Sequence, residues 1–174
     1  MKYYIGIDLG GTNVRTLLVD ENGQSYSEVK DATERENGPD YVCSKIIRQI
    51  ESLDYSICGG INNVQGIGIG VPGPVDTERG VMIMATNLPG FENYPICEKL
   101  SSRFNLPVFI DNDANVAGLA EALLGAGKGK PTCYYVTIST GIGGAFVVNG
   151  QLVSGGRGHA GEVGNIIVKN NGYK

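Results

Sequence analysis

The 174-residue chain has a formal net charge of −4 and 41% apolar residues, which suits one globular domain or slightly more. It has no cluster of basic residues and no apolar stretch near the roughly 20 residues of a membrane helix, so we expect no nucleic-acid or membrane partner. Strand-like sequence begins at Tyr3 without a signal peptide, which predicts a cytoplasmic protein. The four cysteines are far apart, which argues against a disulfide framework or a metal knuckle.

The first third of the chain predicts a small sheet followed by a helix. Residues 3–9 and 13–20 are rich in β-branched residues and leucine, and a third run covers 24–29, so the three read as an antiparallel meander. Apolar residues at helical spacing then run from 41 to 53, with Pro39 at a suitable start. This helix is expected to cover the sheet.

The middle of the chain alternates between predicted strands and helices. The segment VQGIGIGVPGPVD reads as a buried strand that ends in a Pro-Gly turn, and YPICEKLSSRF reads as a helix. LPVFIDND reads as another strand, and a further helix covers residues 116–124. This alternation predicts an α/β domain with a partly parallel sheet, whose ligands bind at the carboxyl ends of the strands.

Two segments resemble each other as strand, glycine turn and strand, beginning at Tyr3 and Tyr134. Their glycines allow backbone N–H groups to approach phosphate oxygens, and Thr12 and Thr140 add hydroxyl donors. Asp8, at a strand end beside the first turn, is a candidate ligand for Mg²⁺. The alternative is a pair of tight hairpin turns in which Asp8 accepts turn N–H bonds. The candidate phosphate-binding glycines are Gly10, Gly11, Gly141, Gly143 and Gly144.

A polar cluster, DNDAN, spans residues 111–115 between a predicted strand and a predicted helix. One of its members can serve as a helix N-cap, but that role does not account for four polar residues. A carboxylate beside amides at a strand end suits a general base that takes a proton from an alcohol. Asp113 is the candidate base, and Asn112 is the candidate for orienting the substrate.

Five segments of the chain closely resemble, in order, the motifs of the ROK family of sugar kinases and sugar-responsive repressors. They are IGIDLGGTNVRTLLVD, GIGVPGPVD, TNLPGF, FIDNDANVAGLAEALLGAG and STGIGGAFVVNGQLVSGGRGHAGEVGN. The resemblance covers almost the whole chain. It implies an α/β, actin-like ATPase (ribonuclease H-like) fold and phosphorylation of a sugar hydroxyl by ATP with Mg²⁺.

The resemblance also assigns roles to individual residues. It implies one phosphate loop at residues 8–12 and another at 140–144, and it makes Asp113 the catalytic base. Asn87, Asn112 and Glu162 would bind sugar hydroxyls together with Asp113. ROK kinases have two lobes and about three hundred residues, so the resemblance implies a sugar- and phosphate-binding lobe at 1–118 and the start of a nucleotide-binding lobe at 119–174.

The zinc site of many ROK proteins is not expected here. Asn165 stands three residues after Glu162, where many relatives have a zinc-binding histidine, and asparagine is a poor zinc ligand. The single histidine, His159, is a candidate sugar contact or a loop cap. We therefore expect magnesium with ATP and no zinc.

Other readings of the same motifs remain open at this level. A sugar-responsive transcriptional regulator or a non-catalytic sugar-binding module would share the sugar contacts. The motifs do not name the monosaccharide, and they leave the oligomeric state open, with a homodimer among the options. Because the resemblance implies that the nucleotide cleft is incomplete in a chain of this length, we do not expect these 174 residues to be active by themselves.

Overall fold

The computed structural model describes residues 1–139, 141–156, 160–167 and 169. The chain divides into two compact units, Met1–Asp113 and Ala114–Lys174. Within the described ranges, no helix combines the length and the apolar composition needed to cross a bilayer.

The first unit is built on one five-stranded sheet with the order β3-β2-β1-β4-β7. Its first three strands are antiparallel neighbours, whereas β4 and β7 run parallel to β1. The predicted meander, the two later strands and both helices are confirmed. The elements are β1 Tyr3–Leu9, β2 Asn13–Asp20, β3 Ser25–Ala32, α1 Pro39–Ser52, β4 Val64–Val71, the short strands β5 Val75–Asp76 and β6 Val81–Met82, α2 Ile96–Phe104, and β7 Val108–Asn112.

The two faces of this sheet differ in composition. One face carries alternate apolar residues of β1, β4 and β7, and it forms a single core with the apolar sides of α1 and α2. The other face carries glycines at its centre: Gly6 lies in register with Gly68, and a Cβ at either position would meet open space. Phe109, in register with Gly68, is 69% exposed on that face.

The second unit joins α3 to an antiparallel sheet with the order β10-β9-β8. Its elements are α3 Asp113–Leu123, whose first residue closes the first unit, β8 Thr132–Ile138, β9 Ile142–Val148 and β10 Gln151–Leu152. The helix is confirmed, but its buried positions are the small residues Ala114, Gly118 and Ala122. A Cβ on Gly118 would lie 2.4 Å from the Cβ of Ala145 on β9. The larger apolar residues that predicted the helix, Val116 and Leu123, are exposed.

A buried polar contact connects α1 to β2. The Thr16 hydroxyl donates to Gln49 Oε1 at 2.8 Å, and Gln49 Nε2 donates to Asp31 Oδ2 at 2.9 Å. Thr16 and Gln49 are 0% and 3% exposed, so water cannot replace either partner. Leaving one buried polar group without a partner costs about 1–3 kcal/mol.

We therefore expect Gln49→Met to lower the free energy of unfolding by about 1–3 kcal/mol, because the Thr16 hydroxyl loses its acceptor. The double variant with Thr16→Val as well should lose less, since the unsatisfied hydroxyl is removed. Urea denaturation followed by circular dichroism measures both. A Gln49→Met protein as stable as the wild type would show that the contact contributes little.

Candidate functional site

The parallel strands place two carboxylates in line at one edge of the sheet. Asp8 of β1 is in register with Gly70 of β4, which is in register with Asp111 of β7. In-register residues of parallel strands lie on the same face, and two strand spacings separate the Asp8 and Asp111 Cα atoms by roughly 9–10 Å. Gly70 contributes no side chain between them. Both carboxylates therefore belong to the face of the sheet that is opposite to the apolar core.

The candidate base follows directly from this edge. β7 ends at Asn112 and α3 begins at Asp113, with no intervening loop. The Asn112 N–H donates to Asp111 Oδ1 at 2.7 Å. Asp113 is therefore the first residue of α3, directly after the carboxyl end of β7.

The first glycine loop is held in place from outside. The Thr33 N–H donates to Thr12 O at 2.8 Å, and the Thr33 hydroxyl donates to Gly10 O at 2.6 Å. In the part of the chain that the structure describes, the N–H groups of Gly11 and Thr12 make no hydrogen bond. Two unpaired N–H groups on a fixed loop are suitable donors for an anion. The sequence did not indicate Thr33, because its partners are distant along the chain.

The space beside Gly11 differs from what the sequence suggested. A Cβ on Gly11 would lie 2.8 Å from both Arg35 Nη1 and Asn87 O. Arg35 and Asn87 occupy the space that a side chain at position 11 would need. This packing alone explains why the residue is glycine, whether or not phosphate binds there. The same contact brings Asn87 directly beside the first glycine loop.

Asn112 also belongs to this group of loops. Its Nδ2 donates to Gly73 O at 3.2 Å, in the turn after β4. Gly73 has a φ of +89°, and a Cβ there would lie 2.9 Å from Met84 O. Met84, in the segment between β6 and Asn87, thus packs on the turn that Asn112 holds. Within the first unit, the two candidate sugar-binding asparagines lie on connected loops.

The second glycine hairpin contains one open glycine and two packed ones. A Cβ on Gly141 would meet no atom within 4 Å. In contrast, a Cβ on Gly143 would lie 3.1 Å from Ala114 Cβ, and one on Gly144 would lie 2.8 Å from Tyr135 O. Gly141 alone therefore has the free space that a phosphate group requires.

The loop that carries Glu162 packs on this hairpin. Cβ atoms on Gly161 and Gly164 would lie 2.3 Å from Gly144 O and 2.4 Å from Ile142 O, respectively. The exposed Glu162 side chain is flanked by these two close contacts with β9. Its main chain is therefore fixed by glycine packing within the second unit.

Three predicted positions lie outside the described residues or side chains: Thr140, His159 and the side chain of Asn165. Among the residues that are described, no group of three or more His, Cys, Asp or Glu side chains has metal-binding geometry. All four cysteines are free thiols.

The sheet topology and the glycine loops define an α/β domain of the actin-like ATPase class. The sequence model of the ROK family matches residues 4–174, and the chain belongs to this family. A glucokinase of Thermotoga maritima is 37% identical over 168 residues, which are 97% of this chain and 51% of the relative.

Solved structures agree with this assignment. A ROK hexokinase from Thermus thermophilus has a TM-score of 0.83 at 37% identity, over 96% of this chain and 54% of that one. A ROK glucokinase from Streptomyces griseus, in complex with glucose and AMPPNP, has a TM-score of 0.79 at 33% identity, over 96% and 51%. The chain thus spans about half the length of the relatives it matches.

The glycine geometry separates two effects of substitution in the second hairpin. If Gly141 holds phosphate, Gly141→Ala should lower the affinity for Mg-ATP about tenfold with an unchanged melting temperature, because only ligand space is lost. Gly144→Ala should lower the melting temperature, because its Cβ would clash with backbone oxygens. Titration calorimetry and thermal melting measure the two effects. Unchanged affinity in Gly141→Ala would leave a hairpin turn without a phosphate role.

Proposed function

We propose that the protein carrying this chain is an ATP-dependent sugar kinase of the glucokinase type. The observation that carries the proposal is the contact between the Asn87 loop and the first glycine loop. The Asn87 loop is the candidate sugar-binding element, and the first glycine loop is the candidate phosphate-binding element. The Thermotoga maritima and Streptomyces griseus relatives, both glucokinases, support a monosaccharide substrate.

Asp113 is the proposed base in this reaction. It takes the proton of the sugar hydroxyl as that oxygen attacks the γ-phosphorus of ATP; the new P–O bond forms while the bond to ADP breaks. Asn87, Asn112 and Glu162 orient the sugar by hydrogen bonds to its other hydroxyls, and His159 is a further candidate contact. These side chains thus contribute by positioning the sugar and by accepting its proton.

The proposed ATP contacts are the loop from Asp8 to Thr12 and the loop from Thr140 to Gly144. The unpaired N–H groups of Gly11 and Thr12 and the open space at Gly141 fit phosphate oxygens. Asp8 fits Mg²⁺ as a direct or water-mediated ligand, since it is exposed at the sheet edge. Bound there, Mg²⁺ would neutralise charge on the phosphates.

The wider assignments follow from the same proposal. Residues 1–118 would form the sugar- and phosphate-binding lobe, and 119–174 would begin the nucleotide-binding lobe. A cytoplasmic enzyme is proposed, since a sugar and ATP are its substrates.

Replacement of Asp113 by Asn in the full-length protein should lower kcat by about 10²- to 10⁴-fold and change sugar affinity little. The amide keeps a hydrogen-bonding group but cannot accept the proton. A coupled ADP-release assay with a panel of monosaccharides measures the rates, and Glu98→Gln, an exposed carboxylate on α2, is the matched control. Near-normal turnover in Asp113→Asn would exclude Asp113 as the base.

The same assay separates the kinase from a regulator or a sugar-binding module. A wild-type protein that binds a sugar by calorimetry, but releases no ADP with any sugar of the panel, would favour one of those alternatives.

We also expect the purified protein to carry no stoichiometric zinc, because Asn165 stands where many relatives have a histidine ligand. Glu162 would instead be positioned by Gly161 and Gly164. Elemental analysis after dialysis tests this, and chelation should leave sugar binding unchanged. About one zinc per chain, lost together with sugar affinity on chelation, would reveal a zinc site that the sequence did not indicate.

A further inference from the structure

Arg35 connects the two loops on which the proposed chemistry depends. It opens a short 3-10 turn, Arg35–Asn37, three residues after the end of β3. Its Nη1 donates to the main-chain oxygen of Asn87 at 2.8 Å, across 52 residues of sequence. A Cβ on Gly11 would lie 2.8 Å from that same nitrogen. The guanidinium therefore lies against both the first glycine loop and the Asn87 loop.

The backbone on the N-terminal side of Arg35 is fixed by several bonds. Thr33 is fully buried and bonds to the first glycine loop through both its N–H and its hydroxyl. Glu34 has a left-handed φ of 54°, and its carboxylate accepts bonds from Tyr41 and Lys45. Arg35 is thus held at a defined position beside Gly11, although its own side chain is exposed.

The charge of Arg35 has no ion-pair partner in the part of the chain that the structure describes. The adjacent Glu34 carboxylate is occupied by Lys45, and hydrogen bonding to that lysine holds the pKa of Glu34 below its usual range. Across the described residues, no carboxylate forms an ion pair with Arg35. A guanidinium has five N–H donors, and the bond to Asn87 uses one of them. A positive charge and further donors therefore remain beside the candidate phosphate loop.

We propose that Arg35 is a positioning residue that couples phosphate binding at the Gly10–Thr12 loop to sugar binding at the Asn87 loop. The inference rests on the proposed kinase function. Phosphate bound at the first glycine loop attracts the guanidinium of Arg35. Because the guanidinium is bonded to Asn87 O, this attraction also restrains the Asn87 loop. Sugar and nucleotide should therefore each raise the affinity for the other by the same factor.

The test compares the wild type with Arg35→Met, Arg35→Lys and Arg48→Met in the full-length protein. Arg48 is an exposed arginine on α1 that makes no hydrogen bond to either loop among the described residues, so it is the matched control. Calorimetry gives the Kd of the preferred sugar with and without Mg-AMPPNP. We expect that ratio to fall to about one in Arg35→Met, with the Kd of each ligand alone changed less than threefold. Arg35→Lys should restore part of the ratio, because lysine keeps the charge and can still donate a hydrogen bond, but lacks the planar guanidinium.

Steady-state kinetics and hydrogen exchange complete the test. Arg35→Met should lower kcat/KM about tenfold or more, whereas its melting temperature should match that of the control. Mg-AMPPNP should slow amide exchange in residues 83–90 of the wild type and of Arg48→Met, but not of Arg35→Met.

Two outcomes would overturn the role of Arg35: a wild-type protein without coupling, or an Arg35→Met protein that keeps both the coupling and the exchange protection. Failure of the wild type to phosphorylate any sugar would instead count against the kinase proposal. In that case the exchange experiment still decides whether Arg35 links the two loops.

Discussion

The parallel register of β1, β4 and β7 is the constraint on which the first unit depends. It places Asp8 and Asp111 on one face with a glycine between them, and it brings the ends of three strands to one edge. Because β7 continues directly into α3, the same register sets the position of Asp113. A shift of one residue in β7 would move the Asp111 side chain to the opposite face.

The loops at this edge are fixed by contacts that do not belong to the sheet. Thr33 fastens the first glycine loop, Asn112 holds the turn after β4, and Arg35 joins Gly11 to Asn87. Each of these bonds ends on a main-chain oxygen, so it restrains the backbone of its partner. The loops that carry the candidate binding residues are thereby kept at fixed distances, which the proposed phosphoryl transfer would require.

The sequence predicted the strands and helices of the first unit well, because apolar spacing and Gly or Pro turns are local signals. It did not predict Thr33 or Arg35, since their contacts span 23 and 52 residues and no motif marks them. It also suggested that Gly11 admits phosphate, whereas the structure fills that space with Arg35 and Asn87. A glycine pattern shows that close approach is needed without showing which atoms approach. The roles of Asp113 and Glu162 stay predictions.

The two bonds that Thr33 makes to the first glycine loop have a thermodynamic consequence. Ordering the backbone of one residue costs roughly 1–2 kcal/mol in conformational entropy. Because Gly10 and Thr12 are already restrained by Thr33, this loss accompanies folding and does not recur when a ligand arrives. Anion binding at this loop should therefore carry a small entropic penalty. The affinity should depend mainly on how well the N–H groups of Gly11 and Thr12 are aligned with the anion.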